Sequence, residues 1–226
     1  MAFRYRTQGW VFKKEDRGEA DQVLTIYTKD FGKIKVLGKG IRKIKSKLRY
    51  GADLFYLSEI EFIQGKVYKT LTDSQVIKKF NNDLDKFKIA KLISETLDEL
   101  IKGEEKDKKV WSLIKETFLN LNNWKSDLIY FNFLWNLLSI LGYKPELYKC
   151  NLCGRKLSPK DLYFDSESGG VIDCEKKGER VSIEFIKTLR IILEKDWQTL
   201  SKLKVGKDCR KLLNNISNKY LSYIKN

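Results

Sequence analysis

The 226-residue chain carries 45 Lys and Arg against 30 Asp and Glu, a formal net charge of +15, and has no histidine. Without imidazole it lacks the commonest general base, every Ser-His or Cys-His nucleophile arrangement and His-based catalytic metal sites, and no Asp/Glu pair stands out, so it is not expected to be an enzyme. No apolar run reaches the roughly 18 residues of a membrane span, and Arg4 and Arg6 interrupt any secretory leader, which predicts a soluble, cytoplasmic protein with no membrane partner.

The length allows two modest domains. Residues 1–80 hold 18 basic and 9 acidic side chains, a net of +9, so the positive charge is concentrated there. This part reads as short strands: Phe3 to Phe12, Gln22 to Thr28, Lys33 to Leu37, Leu54 to Leu57, Glu59 to Ile63 and Val67 to Leu71. Lys29-Asp30-Phe31-Gly32 and Gln64-Gly65 supply turns. Five or six short strands in so short a span predict a small closed barrel. The OB type is the small barrel that binds single-stranded nucleic acid with a basic groove and aromatic platforms.

Between Phe31 and Ala52 stand Lys33, Lys35, Lys39, Arg42, Lys43, Lys45, Lys47 and Arg49, with no acidic residue among them. Lys33 and Lys35 alternate with Ile34 and Val36, which puts the two ammonium groups on one strand face and the aliphatics inside. From Lys39 onward a loop flanked by Gly38, Gly40 and Gly51 can mould itself to a phosphate backbone. These eight residues are the expected DNA contacts. Tyr50, Phe55 and Tyr56 are candidates either for base stacking or for the barrel core. The run from Gly32 to Gly40 resembles a nucleotide-binding P-loop only superficially. Five residues separate its glycines, Gly40 replaces the magnesium-binding hydroxyl, and the strand pattern excludes a flexible loop.

After Lys79 the period becomes helical. Phe87, Ala90, Ile93, Leu97, Leu100 and Ile101 form one face, opposite Lys88, Lys91, Glu95, Asp98 and Glu99. Gly103 to Lys109 is a charged connector, followed by helices over Val110 to Leu121 and Asp127 to Leu141. The latter is apolar on nearly all sides, which marks a buried core helix ending at Gly142. Two further helical stretches run from Ile183 to Leu203 and from Lys207 to Ile224.

Cys150-Asn151-Leu152-Cys153-Gly154 is a CxxCG knuckle, in which the glycine allows the turn that points both thiolates at one metal ion. A structural zinc wants a second pair, but only Cys174 follows, before Glu175, Lys176 and Lys177. Cys150, Cys153 and Cys174 can hold zinc with an outside donor such as Asp173, Glu175 or Cys209, or the site is degenerate and packing has replaced the ion. The fourth ligand is not identified. Cys209 also reads as a small buried hydrophobe beside the apolar stripe of the last helix.

The segments Gly9-Trp10-Val11, Arg17-Gly18-Glu19-Ala20-Asp21, Leu24-Thr25-Ile26-Tyr27-Thr28 and Phe31-Gly32-Lys33-Ile34 resemble the opening of the RecO recombination mediators. Gly38-Lys39-Gly40-Ile41-Arg42 with Ser46-Lys47-Leu48-Arg49 is similar to that family's basic loop. The likeness continues through the helical middle, the knuckle at Cys150 and Ser168-Gly169-Gly170 before Cys174. It implies an α+β protein: an N-terminal OB-fold barrel (1–80), then a helical domain (81–226) with an embedded zinc-ribbon-like cysteine insertion (146–182). It also implies binding of single- and double-stranded DNA, annealing of complementary strands, and help for RecA loading with RecR and single-stranded-DNA-binding protein as partners. Lys177 stands where the family's four-cysteine form has its last thiolate. The competing reading is a non-catalytic adaptor that grips an acidic peptide tail through the helical domain.

Overall fold

Alternating apolar and polar residues close the first part of the chain into a barrel of β1 (Arg4–Arg17), β2 (Asp21–Thr28), β3 (Gly32–Gly38), β4 (Leu57–Ile63) and β5 (Lys69–Lys78). The strand order is β1-β2-β3-β5-β4. The barrel shuts where β4 pairs antiparallel with β1, from Arg4↔Ile63 to Trp10↔Leu57. β3 and β5 meet in parallel at Val36↔Lys69 and Leu37↔Thr70. β1 serves two neighbours, pairing β4 with its first half and β2 with its second, and a register irregularity between Val11 and Lys13 marks the passage. The result is an OB-like barrel. The computed structural model describes residues 3–81, 83–123, 128–194 and 197–225.

The interior is filled by Val11, Leu24, Ile26, Ile34, Val36, Ile60, Phe62 and Leu71, joined by Ile41 and Ala52 from the long segment between β3 and β4. The strand expected over Leu54 to Leu57 is absent. Phe55 adopts φ +64°, and its ring packs outside the barrel at 5.3 Å from both Phe80 and Phe87. The strand expected at Val67 to Leu71 begins at Lys69 and runs on to Lys78, leaving Val67 exposed. β1 likewise continues past Phe12 to Arg17. Periodicity misses these extensions because polar residues dominate them and the apolar pair Val76-Ile77 of β5 is adjacent rather than alternating; backbone pairing such as Glu15↔Val23 and Glu61↔Asp73 maintains them.

The chain divides into two compact units, Met1–Lys125 and Ser126–Asn226. The first combines the barrel with α1 (Leu84–Leu100) and α2 (Lys108–Asn123). Asp83 caps α1 by accepting from the backbone N–H groups of Asp85 and Lys86. Ala90, Ile93 and Leu97 turn inward as their spacing demands, and Phe87 stays partly exposed. An aromatic seam fastens these helices to the barrel. Phe118 of α2 stacks on Trp10 of β1 at 4.7 Å and lies 6.0 Å from Phe55.

In the second unit α3 (Leu128–Ile140) is buried almost all round. Its buried donors find partners: Asn132 and Asn136 each donate to the Ile192 carbonyl, and Trp135 donates to Ser217 Oγ at 3.0 Å. Gly142 at φ +96° ends it, where the Tyr143 N–H bonds Leu138 O and the Gly142 N–H bonds Ser139 O. Then come β6 (Tyr163–Asp165), β7 (Gly170–Ile172) and β8 (Glu179–Arg180), a small sheet of order β7-β6-β8. The helical stretch expected from Ile183 to Leu203 is described as two pieces, α4 (Ile183–Glu194) and α5 (Trp197–Lys202), before α6 (Lys207–Lys225). Asp127, expected to open α3, lies outside the described residues. Among those described, no helix is long and apolar enough to cross a membrane.

Phe118 is fully buried in the seam, so Phe118→Ala should cost about 3–5 kcal/mol of stability, read as an earlier urea midpoint. A loss below about 1 kcal/mol would mean that the seam does not fasten the helices.

Candidate nucleic-acid interface and cysteine cluster

β3 has the predicted two-sidedness: Ile34 and Val36 enter the core while Lys33 and Lys35 face out. The two lysines differ in their surroundings. Lys35 is exposed, whereas the Lys33 ammonium donates to Asp98 Oδ1 at 3.3 Å and to the Asp98 carbonyl at 3.1 Å. Lys13 approaches the other Asp98 oxygen at 3.3 Å. Burial opposes ionisation of Asp98, but the hydrogen bonds and charges of Lys33 and Lys13 outweigh it and hold this carboxyl below the usual carboxylate range. Lys33 therefore serves as a latch between barrel and α1.

The segment after β3 is pinned rather than free to mould itself. Ile41 is 1% exposed within the barrel core, Ala52 is fully buried, and Leu48 of the 3-10 turn Lys47–Arg49 packs against the same core. The Arg42 N–H donates to Ala20 O, the Gly40 N–H to Asp21 Oδ1 at 2.7 Å, and Ser74 Oγ to Leu48 O at 2.7 Å. At Gly51 a side chain is impossible, since a Cβ there would sit 2.5 Å from the Ser74 carbonyl. Between these anchors Lys39, Arg42, Lys43, Lys45, Lys47 and Arg49 all reach solvent. Arg42 touches Asp16 at 3.3 Å in an exposed pair of little energetic weight. Among the described residues, Lys35, Lys39, Lys43, Lys45, Lys47 and Arg49 have no carboxylate partner.

One end of this segment borders a groove of about 400 Å³ lined by Ile44, Arg49, Tyr50, Asp53, Tyr56, Val76 and Lys79. Tyr50 is 75% exposed beside it, while Phe55, the third aromatic expected as a stacking candidate, is core. Val76 and Lys79 come from the far end of β5 and just beyond, where no alternation marks a strand. A cation–π contact sets Arg17 over Tyr68 at 4.9 Å, and no motif in the sequence announces it.

In the second unit the Sγ atoms of Cys150, Cys153 and Cys174 all lie within 4.8 Å of one another, and Cys150 is 3.4 Å from Cys174. Tetrahedral zinc with bonds of about 2.3 Å needs sulfurs roughly 3.8 Å apart, so the spacing suits three of its four ligands. Burial would raise the Cys150 thiol, but the backbone N–H groups of Cys153, Asp173 and Leu152 are directed at its sulfur and bring it to about 7. N–H groups aimed at a sulfur favour the thiolate that a metal requires. Cys174 is pushed up to about 11, first by its hydrogen bond with Cys150.

The donors expected to complete the set do not. Asp173 accepts from the Ser158 N–H, and Cys209 is buried against Thr188. Among the described residues, neither these two nor Glu175 joins the cluster.

Residues 1–80 match the family described as Recombination protein O N terminal, and residues 81–223 match Recombination protein O C terminal. The chain is 33% identical over 212 residues to a DNA repair protein RecO of Dehalococcoides mccartyi, covering 90% of this chain and 84% of that protein. It is 28% identical over 210 residues to the protein of the same name from Caldanaerobacter subterraneus subsp. tengcongensis, covering 88% and 84%. The Roseiflexus counterpart is 28% identical over 229 residues, covering 97% and 81%.

Because the Asp98 carboxyl is held low in the folded protein, its contribution to stability is complete above the unfolded carboxylate pKa of about 3.9 and is lost as pH falls through the folded value. Stability of the wild type should therefore exceed that of Asp98→Asn at pH 7, and the two should converge in acid. Parallel stability–pH curves would remove Asp98 from the latch.

Proposed function

We propose that this chain, which belongs to the RecO family of DNA repair proteins, binds DNA through the basic segment of its barrel and promotes the pairing of complementary strands. The observation that carries this reading is the set of six exposed cations, Lys35, Lys39, Lys43, Lys45, Lys47 and Arg49, without carboxylate partners among the described residues and borne by β3 and an anchored segment. Cations fixed in place and not already neutralised release counterions when they meet phosphate, which is the main source of sequence-independent affinity. Arg42 joins them by exchanging its exposed Asp16 partner for phosphate. Lys33, committed to Asp98, contributes to the surrounding potential.

In this reading residues 1–80 are the nucleic-acid-binding domain, and residues 81–226 form the helical domain with the ribbon of 146–182. Single strands run past Tyr50 and Tyr56, whose rings stack on bases. Annealing follows when one protein surface screens two strands, because mutual phosphate repulsion is the barrier removed. No general acid or nucleophile is needed for that. Assistance to RecA loading, with RecR and single-stranded-DNA-binding protein as partners, is inferred from family membership. Cys150, Cys153 and Cys174 would hold zinc as a structural cross-link tying the knuckle to the strand end that carries Cys174.

With about five phosphates neutralised, the log–log salt dependence of single-strand affinity should have a slope of about −3.5. Charge reversal at Lys39, Arg42 and Lys43 should flatten the slope by about 2 and abolish annealing, with the melting temperature preserved. Affinity surviving that triple change would refute the assignment.

A further inference from the structure

We propose that the second unit holds its zinc through three thiolates only, Cys150, Cys153 and Cys174, and leaves the fourth coordination position to an exchangeable neutral donor from outside the chain. The inference rests on the zinc reading above and sharpens it. Position 177 is where a second CxxC would place its last sulfur. Lys177 stands there instead, and its ammonium is drawn away to Glu167 at 2.6 Å and Asp165 at 3.8 Å. Among the described residues no other Cys, Asp or Glu converges with the three sulfurs: Asp173 takes the Ser158 N–H, Cys209 is buried on Thr188, Glu175 stays outside the group, and the chain has no histidine. Cys153 and Cys174 are both exposed, so the unfilled side of the cluster faces solvent.

The local charge selects the kind of ligand. Three thiolates around a divalent ion leave one negative charge, and the Arg155 guanidinium, with Nε 3.4 Å from Cys153 Sγ, offsets it. Asp173 lies close enough to act on that guanidinium, which leaves little positive charge over. A fourth thiolate would bring a second net negative charge, and among the described residues the chain places none here. A neutral donor, water in the isolated protein or an imidazole nitrogen supplied by another molecule, completes the tetrahedron without adding charge.

The test is cobalt substitution of untagged full-length protein, since a histidine tag would itself supply the ligand. The absorption of the cobalt form reports three sulfur ligands by its charge-transfer intensity, and its visible bands report the fourth. Titration with imidazole should shift those bands to saturation in the wild type. The Lys177→Cys variant should show greater sulfur intensity, at least tenfold tighter metal binding and no response to imidazole. A wild-type protein that binds no metal would overturn the zinc reading and this inference together. Metal bound with visible bands indifferent to imidazole would overturn the open position alone. Both of these outcomes are read from the wild type, whatever the folding of the variant.

Discussion

The insertion of Ile41 into the barrel core is the contact on which the basic surface depends. Without it, residues 39–52 would be a lysine-rich loop whose positive charges repel one another and spread into solvent. With Ile41, Leu48 and Ala52 packed against Val36, Ile60 and Leu71 as part of one cluster, the hydrophobic core fixes the backbone that carries the charges. Burial of an aliphatic side chain is worth about 1.5–3 kcal/mol, more than exposed like charges cost one another in screened solvent. The apolar anchors thus bear the electrostatic cost of concentrating cations, and the surface is organised before DNA arrives.

Much of this is written in the sequence and some of it is not. Strands β2, β3 and β4 follow directly from their alternation, and α1 and α6 from their helical stripes. Phe55 reads as part of a strand because it is apolar and lies among apolar neighbours, yet it belongs to the seam with Phe80, Phe87 and Phe118. Only its positive φ reveals that it leaves the barrel. The ends of β1 and β5 carry no alternating apolar face, so no periodicity marks them. The basic cluster is legible as a composition, but the division between committed and available cations is not. Asp98 is 65 residues from Lys33, and no local pattern joins them.

That division clarifies how the first unit is built. Lys33 sits on the same strand face as Lys35 and has the same chemistry, but it works inside the fold, holding α1 to β3 through Asp98. Lys69 is likewise spent on Glu104 at 2.7 Å, on the connector that leads to α2. Cations near the helices are thus neutralised by the helices and their connector, and those on the segment after β3 are left exposed. The second unit follows a different logic. Its core helix finds partners for the buried donors of Asn132, Asn136 and Trp135, and its cysteine knuckle converges as the CxxCG spacing indicates. The sequence leaves the fourth donor open, and among the described residues the fold supplies none.

Lysine acylation mapped by mass spectrometry, with and without a single-stranded oligonucleotide, tests the central claim most directly. Lys39, Lys43, Lys45 and Lys47 should react readily in the free protein and be protected by DNA. Lys33 should react slowly in both states, and Lys187 and Lys211 of the second unit should be indifferent to DNA. Equal reactivity of the four segment lysines with and without DNA would contradict the account.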